Sequence, residues 1–265
     1  MIDFEKELRE LLLSKEKVYP RKLYDAVNYA LFPGGKRIRP TLTFLSAVFL
    51  GIEEKRVIPF ALAIELIHSY SLIHDDLPCM DNDDYRRGKL SCHKAFGEDV
   101  ALLAGDALLN LAYEVLLAAV SSDTALAPSA RLISEYAGGE GMIGGQAIEV
   151  ASEEFDEERI RELCQKKTGA LIKASVMAPS CLSNDAEKIA ALSVYADAVG
   201  LAFQLQDDLL DEYKCEKKSF LAVLGKEKTV AELKKLNEIA RASLAMWEEG
   251  ACLSEISEKL TNRKS

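Results

Sequence analysis

Two stretches of the chain are apolar around almost their whole helical circumference, and both run straight into aspartates. The first is RVIPFALAIELIHSYSLIHDDLP (residues 56–78) and the second DAEKIAALSVYADAVGLAFQLQDDLLDE (residues 185–212). A helix without a polar face is stable only when other helices cover it, so the chain is predicted as an all-α bundle around these two segments. The remainder supports this. Segments rich in Ala, Leu, Glu and Lys carry apolar residues at helical spacing, divided by short breaks at 32–40, 77–89, 121–129, 137–145 and 178–185. No break has the character of an interdomain linker and no repeat is present, so residues 1–265 read as a single domain of about ten or more helices.

Charge narrows the function. A net charge of -10 argues against non-specific nucleic-acid binding and against a basic membrane-surface face. The N-terminal MIDFEKELRELLL is acidic and amphipathic where a signal peptide would be basic, which predicts a cytoplasmic protein. Asp106, Glu114 and Asp123 interrupt the best apolar run, so no membrane span is expected. The six cysteines show no paired short spacing, which speaks against a zinc site or a disulfide framework.

The aspartates raise the chemical question. In QDDLLDE, Asp207 and Asp211 are four apart and share a helix face, with Asp208 beside them. Two carboxylates about 4 Å apart repel by about 4 kcal/mol at an effective dielectric near 20, so such a face calls for a cation. Oxygen donors without histidine or thiolate suit magnesium, which keeps several waters and takes substrate phosphates as further ligands. Asp75, Asp76 and Asp81 cannot share one face of a straight helix, but Pro78 is expected to bend the chain between them. Carboxylates at a helix C-terminus also oppose the dipole, a penalty a divalent ion would reverse. The bland alternative is a solvated acidic loop.

Cations follow a complementary pattern. PGGKRIRP places Lys36, Arg37 and Arg39 before a helix predicted to begin at Pro40, where only a docked anion makes the positive charge favourable. A solvated basic turn is the alternative. YRRGK sets Arg86 and Arg87 just past the first acidic cluster, where they would grip phosphate oxygens or pair with neighbouring aspartates. Lys167 and Thr168 in KKTG, and GGQ at 144–146, are weak signals alone. His68 lies two helical turns before Asp75, within reach of the same cavity, or is a satisfied core histidine.

Taken together, GGKRIRP, ELIHSYSLIHDDLPCMDNDDYRRGK, LAGDALL, GGQAIE, KKTGALI and FQLQDDLLD occur in the order found in trans-isoprenyl diphosphate synthases. From about residue 20 to about 245 the chain resembles the farnesyl and geranylgeranyl diphosphate synthases. The resemblance implies an isoprenoid-synthase-type helical bundle around a central cavity, forming a homodimer. It implies head-to-tail condensation of isopentenyl diphosphate with an allylic diphosphate, dimethylallyl or geranyl diphosphate. Asp75, Asp76 and Asp81, with Asp207, Asp208 and Asp211, would hold about three magnesium ions. Arg86, Lys167, Thr168 and Gln204 match positions that contact the allylic diphosphate, and Lys36, Arg39, His68 and Arg87 match the isopentenyl diphosphate site. Tyr70, with Ser71 beside it, lies about 7.5 Å down the helix axis from Asp75, where an aromatic ring would floor the cavity and favour farnesyl diphosphate over geranylgeranyl diphosphate. The alternative is that Tyr70 only packs in the core.

The chain also departs from the family pattern. After Asp211 the usual glycine-containing loop is missing, and EYKCEKKSF leads almost directly to LAVLG, with Lys217 the best candidate for the lysine of that region. Glu149 stands in GQAIE where the family has aspartate. These departures keep open a weakly active or regulatory subunit of a heteromeric synthase. A terpene cyclase would carry an Asn/Ser/Glu triad where DDLLD stands.

Overall fold

The computed structural model describes residues 2–152, 154–210 and 218–261. They group into two compact units, one of Met1–Thr41 with Glu54–Thr124 and one of Leu42–Glu53 with Ala125–Ser265.

In the first unit, α1 (Phe4–Leu13) starts at Asp3, whose carboxylate caps the helix by accepting the Lys6 amide at 3.2 Å. It is followed by α2 (Arg21–Leu31) and by α3 (Ile38–Phe49), which begins two residues before the predicted Pro40 and continues into the second unit. The predicted central helix is α4 (Glu54–Asp75), which packs most extensively on α6 (Glu98–Ser122). Phe60, Ile64, Leu66, Ile67 and Leu108 are fully buried there. Each such side chain contributes about 1.5–3 kcal/mol of apolar burial, which explains why α4 tolerates no polar face. Between α4 and α6 lie a two-stranded hairpin and the short α5 (Cys92–Phe96).

That hairpin is made from YRRGK. Strands β1 (Tyr85–Arg86) and β2 (Lys89–Leu90) pair antiparallel, with Tyr85 opposite Leu90. Arg87 (φ 51°) and Gly88 (φ 75°) form the two-residue turn, both left-handed as the twist of such a hairpin demands. An arginine is an unusual choice for the first of these positions.

The second unit contains α7 (Ala127–Ala137), α8 (Met142–Ala151), α9 (Glu157–Cys164), α10 (Ala170–Met177), α11 (Ala186–Leu210), α12 (Phe220–Leu224), α13 (Lys226–Leu244) and α14 (Ala251–Thr261). A single π-helical turn, Gln165–Gly169, joins α9 to α10. The predicted helix 185–212 is α11, which packs on α13 and α10, and its fully buried Tyr195 donates to the Leu253 carbonyl at 2.6 Å.

The all-α expectation is borne out, with fourteen α-helices among the described residues. The expectation that no apolar run reaches membrane-spanning length is corrected: by length and composition α4, α6 and α11 each do. Two-thirds of the α4 window (67%) is buried by its neighbours, while 44% of the α6 window is. One or two acidic residues within an 18-residue window, such as Asp106 and Glu114 in α6, do not remove a helix from the apolar class.

Candidate active site

The end of α4 builds the first acidic centre. The helix stops before Pro78, and the chain doubles back so that the Asp81 amide donates to the Asp75 carbonyl at 2.9 Å and the Asn82 amide to the Leu77 carbonyl at 3.1 Å. The predicted bend therefore does bring Asp81 alongside Asp75. Asp76, only 2% exposed, is gripped by Arg86: Nε donates to both carboxylate oxygens at 3.0 and 3.2 Å, and Nη2 adds a further bond. A carboxylate this deeply buried needs a charged, hydrogen-bonding partner, and the guanidinium fork supplies one.

Behind this centre, α4 leans on α6 through His74, whose Nε2 lies 3.1 Å from the Leu102 carbonyl oxygen. Gly105 permits the approach, since a Cβ there would sit 2.1 Å from that nitrogen. Tyr70 packs edge-on against His74 at 5.7 Å between centroids, 5% exposed, and its buried hydroxyl has no hydrogen-bond partner among the described residues. Burial first, then Tyr113 and Asp75, pushes its phenol up to about 12. Ser71 donates to the His68 carbonyl at 2.9 Å.

A second feature of the first unit is cationic. Arg87 donates through Nη1 to the Gly34 carbonyl, tying the hairpin to the Pro-Gly-Gly turn that precedes Lys36 and Arg39. His68 is held well below the ordinary imidazole value by burial and then by Arg39, Arg87, Arg37 and Arg86. Arg87 itself is lowered by burial and by Arg37 and Arg86, with Glu65 opposing. Arg37 and Arg86 are paired with carboxylates, but the four guanidiniums together keep His68 neutral and leave surroundings that favour an anion. Arg37, grouped with Lys36 and Arg39 in the sequence reading, is engaged internally: Nε donates to Glu5 at 2.6 Å, Nη1 to Glu65 at 2.7 Å and Nη2 to the Leu31 carbonyl at 2.7 Å.

The acidic centre of the second unit is built differently. At the end of α11, Asp208 accepts the Gln204 amide at 2.9 Å and the Phe220 backbone N–H at 2.7 Å. Gln204 in turn accepts the Thr168 hydroxyl at 2.7 Å. Thr168 and Lys167 sit on the π turn, a geometry that concentrates at functional sites. Lys167 forms an ion pair with Glu149, and the approach of α8 to this turn depends on Gly145, where a Cβ would lie 2.2 Å from the Lys167 backbone nitrogen. Lys218 donates to the Glu149 carbonyl. The Cys164 thiol is pushed far up by burial and by the charges of Asp208 and Glu149, so it is no nucleophile.

Within the first unit, His68 and Asp75 lie in the last turns of α4 with Asp76 and Asp81 just beyond, Lys36 and Arg39 lie before and at the start of α3, and Arg86 and Arg87 lie in the hairpin; in the second, Lys167, Thr168, Gln204, Asp207 and Asp208 lie at the end of α11 and on the π turn. Asp211 and Lys217 fall outside the described residues. Sequence reasoning missed Lys218, the structural role of Arg37 and the Phe220 amide. Lys218 stood next to the lysine selected, while the other two depend on partners distant in sequence.

The donors at both acidic centres are oxygens, the set a hard divalent cation takes, with hydrogen-bonded partners of the kind that orient ligating carboxylates. Among the described residues no three of His, Cys, Asp and Glu already converge on one point.

Comparison with known proteins gives a consistent result. The family described as polyprenyl synthetase matches residues 20–229. The large subunit 1 of the heterodimeric geranylgeranyl pyrophosphate synthase of Arabidopsis thaliana is 41% identical over 250 residues, 85% of this chain and 67% of that protein. A farnesyl diphosphate synthase of Micrococcus luteus is 42% identical over 213 residues, 79% of this chain and 73% of its own. Among solved structures, a geranyltransferase from Legionella pneumophila superposes with a TM-score of 0.89 at 36% identity, covering 98% of this chain and 95% of that one.

Proposed function

The chain belongs to the polyprenyl synthetase family and is a trans-prenyltransferase acting on isopentenyl diphosphate and an allylic diphosphate, and we propose that its main product is farnesyl diphosphate, built from dimethylallyl or geranyl diphosphate. The observation that carries the reading is the guanidinium cluster around His68 in the same unit as the Asp75–Asp76–Asp81 turn. One is a ready-made diphosphate site and the other an oxygen-donor site.

The family uses divalent metal, and we assign magnesium, about three ions per site, to Asp75, Asp76 and Asp81 in the first unit and to Asp207 and Asp208 in the second. When bound, the cations stabilise negative charge gathering on the departing diphosphate. Arg86, and Lys167, Thr168 and Gln204 in the second unit, are the proposed grips on the allylic diphosphate. Lys36, Arg39, His68 and Arg87 are the proposed grips on isopentenyl diphosphate. Loss of diphosphate leaves an allylic cation that the homoallylic double bond attacks, and the released diphosphate takes the departing proton. The protein therefore needs no nucleophile; it orients, neutralises and excludes water.

The buried Tyr70 ring, packed against His74 next to Asp75 in the chain, supports a short product. Geranylgeranyl diphosphate is the second reading, favoured by the Arabidopsis relative, whose name also makes a heteromeric partner an alternative to a homodimer. Exposed Leu102, Leu103 and Leu117 on α6 support self-association, which sedimentation would report as a doubled mass.

The deciding experiment is incubation with magnesium, isopentenyl diphosphate and each of dimethylallyl, geranyl and farnesyl diphosphate, with mass analysis. Farnesyl diphosphate from the two shorter primers is expected. No product from any primer overturns the reading. Tyr70→Ala should lengthen the product by at least one five-carbon unit, and an unchanged distribution removes Tyr70 as the floor.

A further inference from the structure

Arg37 stands between Lys36 and the start of α3, yet its side chain is 11% exposed and turned inward. Its guanidinium donates in three directions: to Glu5 on α1, to the Leu31 carbonyl closing α2, and to Glu65 on α4. Glu65 is 3% exposed and lies three residues, about one helical turn, before His68. The Arg37 backbone completes the arrangement: its carbonyl accepts the Thr41 amide at 3.1 Å and the Thr41 hydroxyl at 2.8 Å, so α3 begins from it. Arg37 also sits at φ 43°, a left-handed conformation that a non-glycine residue keeps only when its surroundings fix it. On the other side of the same turn, the Gly34 carbonyl is held by Arg87. The turn that carries Lys36 and leads into Arg39 at the start of α3 is thus fastened at both ends.

We propose that Arg37 is a positioning residue, forming with Glu5 and Glu65 a clamp that sets Lys36 and Arg39 for diphosphate binding beside His68, so that the N-terminal helix α1 contributes to isopentenyl diphosphate affinity without touching it. This rests on the reading of Lys36, Arg39, His68 and Arg87 as the isopentenyl diphosphate site. The argument is one of preorganisation. A Pro-Gly-Gly turn is intrinsically free, and Lys36 just after it would drift away from Arg39 at the start of α3 unless the turn were held. Arginine suits the role because only a planar fork can serve two carboxylates and a carbonyl at once.

Removing Arg37 strands the buried Glu65 carboxylate and risks the fold. The leading variant is therefore Glu5→Gln, at a side chain 44% exposed, with Arg37→Lys as the second. In steady-state assays, Glu5→Gln should raise KM for isopentenyl diphosphate about three- to tenfold, with kcat and the allylic KM within about twofold of wild type. Arg37→Lys should raise the same KM further, and adding Glu5→Gln to it should change little, because the two act through one contact. An unchanged KM in Glu5→Gln, or a parallel loss in kcat and both KM values, overturns the proposal. If the wild-type protein turns over no isopentenyl diphosphate, the functional reading fails instead. The clamp is then decided by calorimetric titration of metal-free protein with inorganic pyrophosphate, where equal binding by wild type and Glu5→Gln overturns it.

Discussion

The two acidic helix ends solve one electrostatic problem by different means. At the end of α4 the buried Asp76 is balanced by a full positive charge, the forked guanidinium of Arg86. At the end of α11, Asp208 accepts from two neutral donors, the Gln204 amide and the Phe220 N–H. A charge partner fixes a carboxylate strongly and makes its loss costly, whereas each neutral dipole orients a carboxylate for a smaller energy. The guanidinium fork at Asp76 is therefore the stronger single contact, and the Gln204 amide at Asp208 the weaker one.

The sharpest way to break the comparison is to remove one acid from each end. Asp75→Asn and Asp207→Asn should each lower kcat/KM by about 10³-fold or more, with helical circular dichroism retained. A variant at either end that keeps normal turnover would show that its acidic end takes no part in the reaction. Removing divalent metal with a chelator should abolish turnover in the wild type and be reversed by added magnesium.

The next test concerns stability. Arg86→Leu strands the Asp76 charge and should cost about 2–3 kcal/mol in urea unfolding, a figure reduced because Arg86 is itself 34% exposed. Gln204→Leu leaves Asp208 its backbone donor and should cost about 1 kcal/mol. Equal losses would mean that the Arg86 fork holds its carboxylate no more strongly than the Gln204 amide does. A parallel pair is Gly145→Ala and Gly105→Ala, each expected to cost about 1–3 kcal/mol, with the former larger. The new methyl at 145 meets Lys167 backbone, whereas at 105 it meets the His74 ring, which can swing aside.

The smallest effect is a pH dependence confined to the first unit. His68 lies below the ordinary 6.5 in the fold, so below that pH the unfolded chain binds a proton that the folded chain resists. Stability should fall as pH drops below about 6.5, and His68→Gln should flatten that slope in thermal melts at graded pH. A slope unchanged by the substitution would mean that the arginines do not act on His68 as described.

Much of this molecule was legible in one dimension. The all-round apolarity of residues 56–78 and 185–212 demanded buried helices, and α4 and α11 are those helices. The order of the aspartate, arginine and lysine motifs carried the family. Helix periodicity and motif order are local properties, set by residues a few positions apart, so the sequence alone decides them. What it left open were partnerships over long separations. Arg37 read as one more cation of a basic turn, and only the folded chain brings to it Glu5, Glu65 and the Leu31 carbonyl. YRRGK read as a loop, but it is a hairpin with Arg87 at a left-handed turn position. Glu149 stood out as a substituted acid, and its pairing with Lys167 depends on Gly145 letting α8 approach the π turn. Which charge neutralises which is settled by desolvation and close approach in three dimensions, and those energies exist only once the helices have packed.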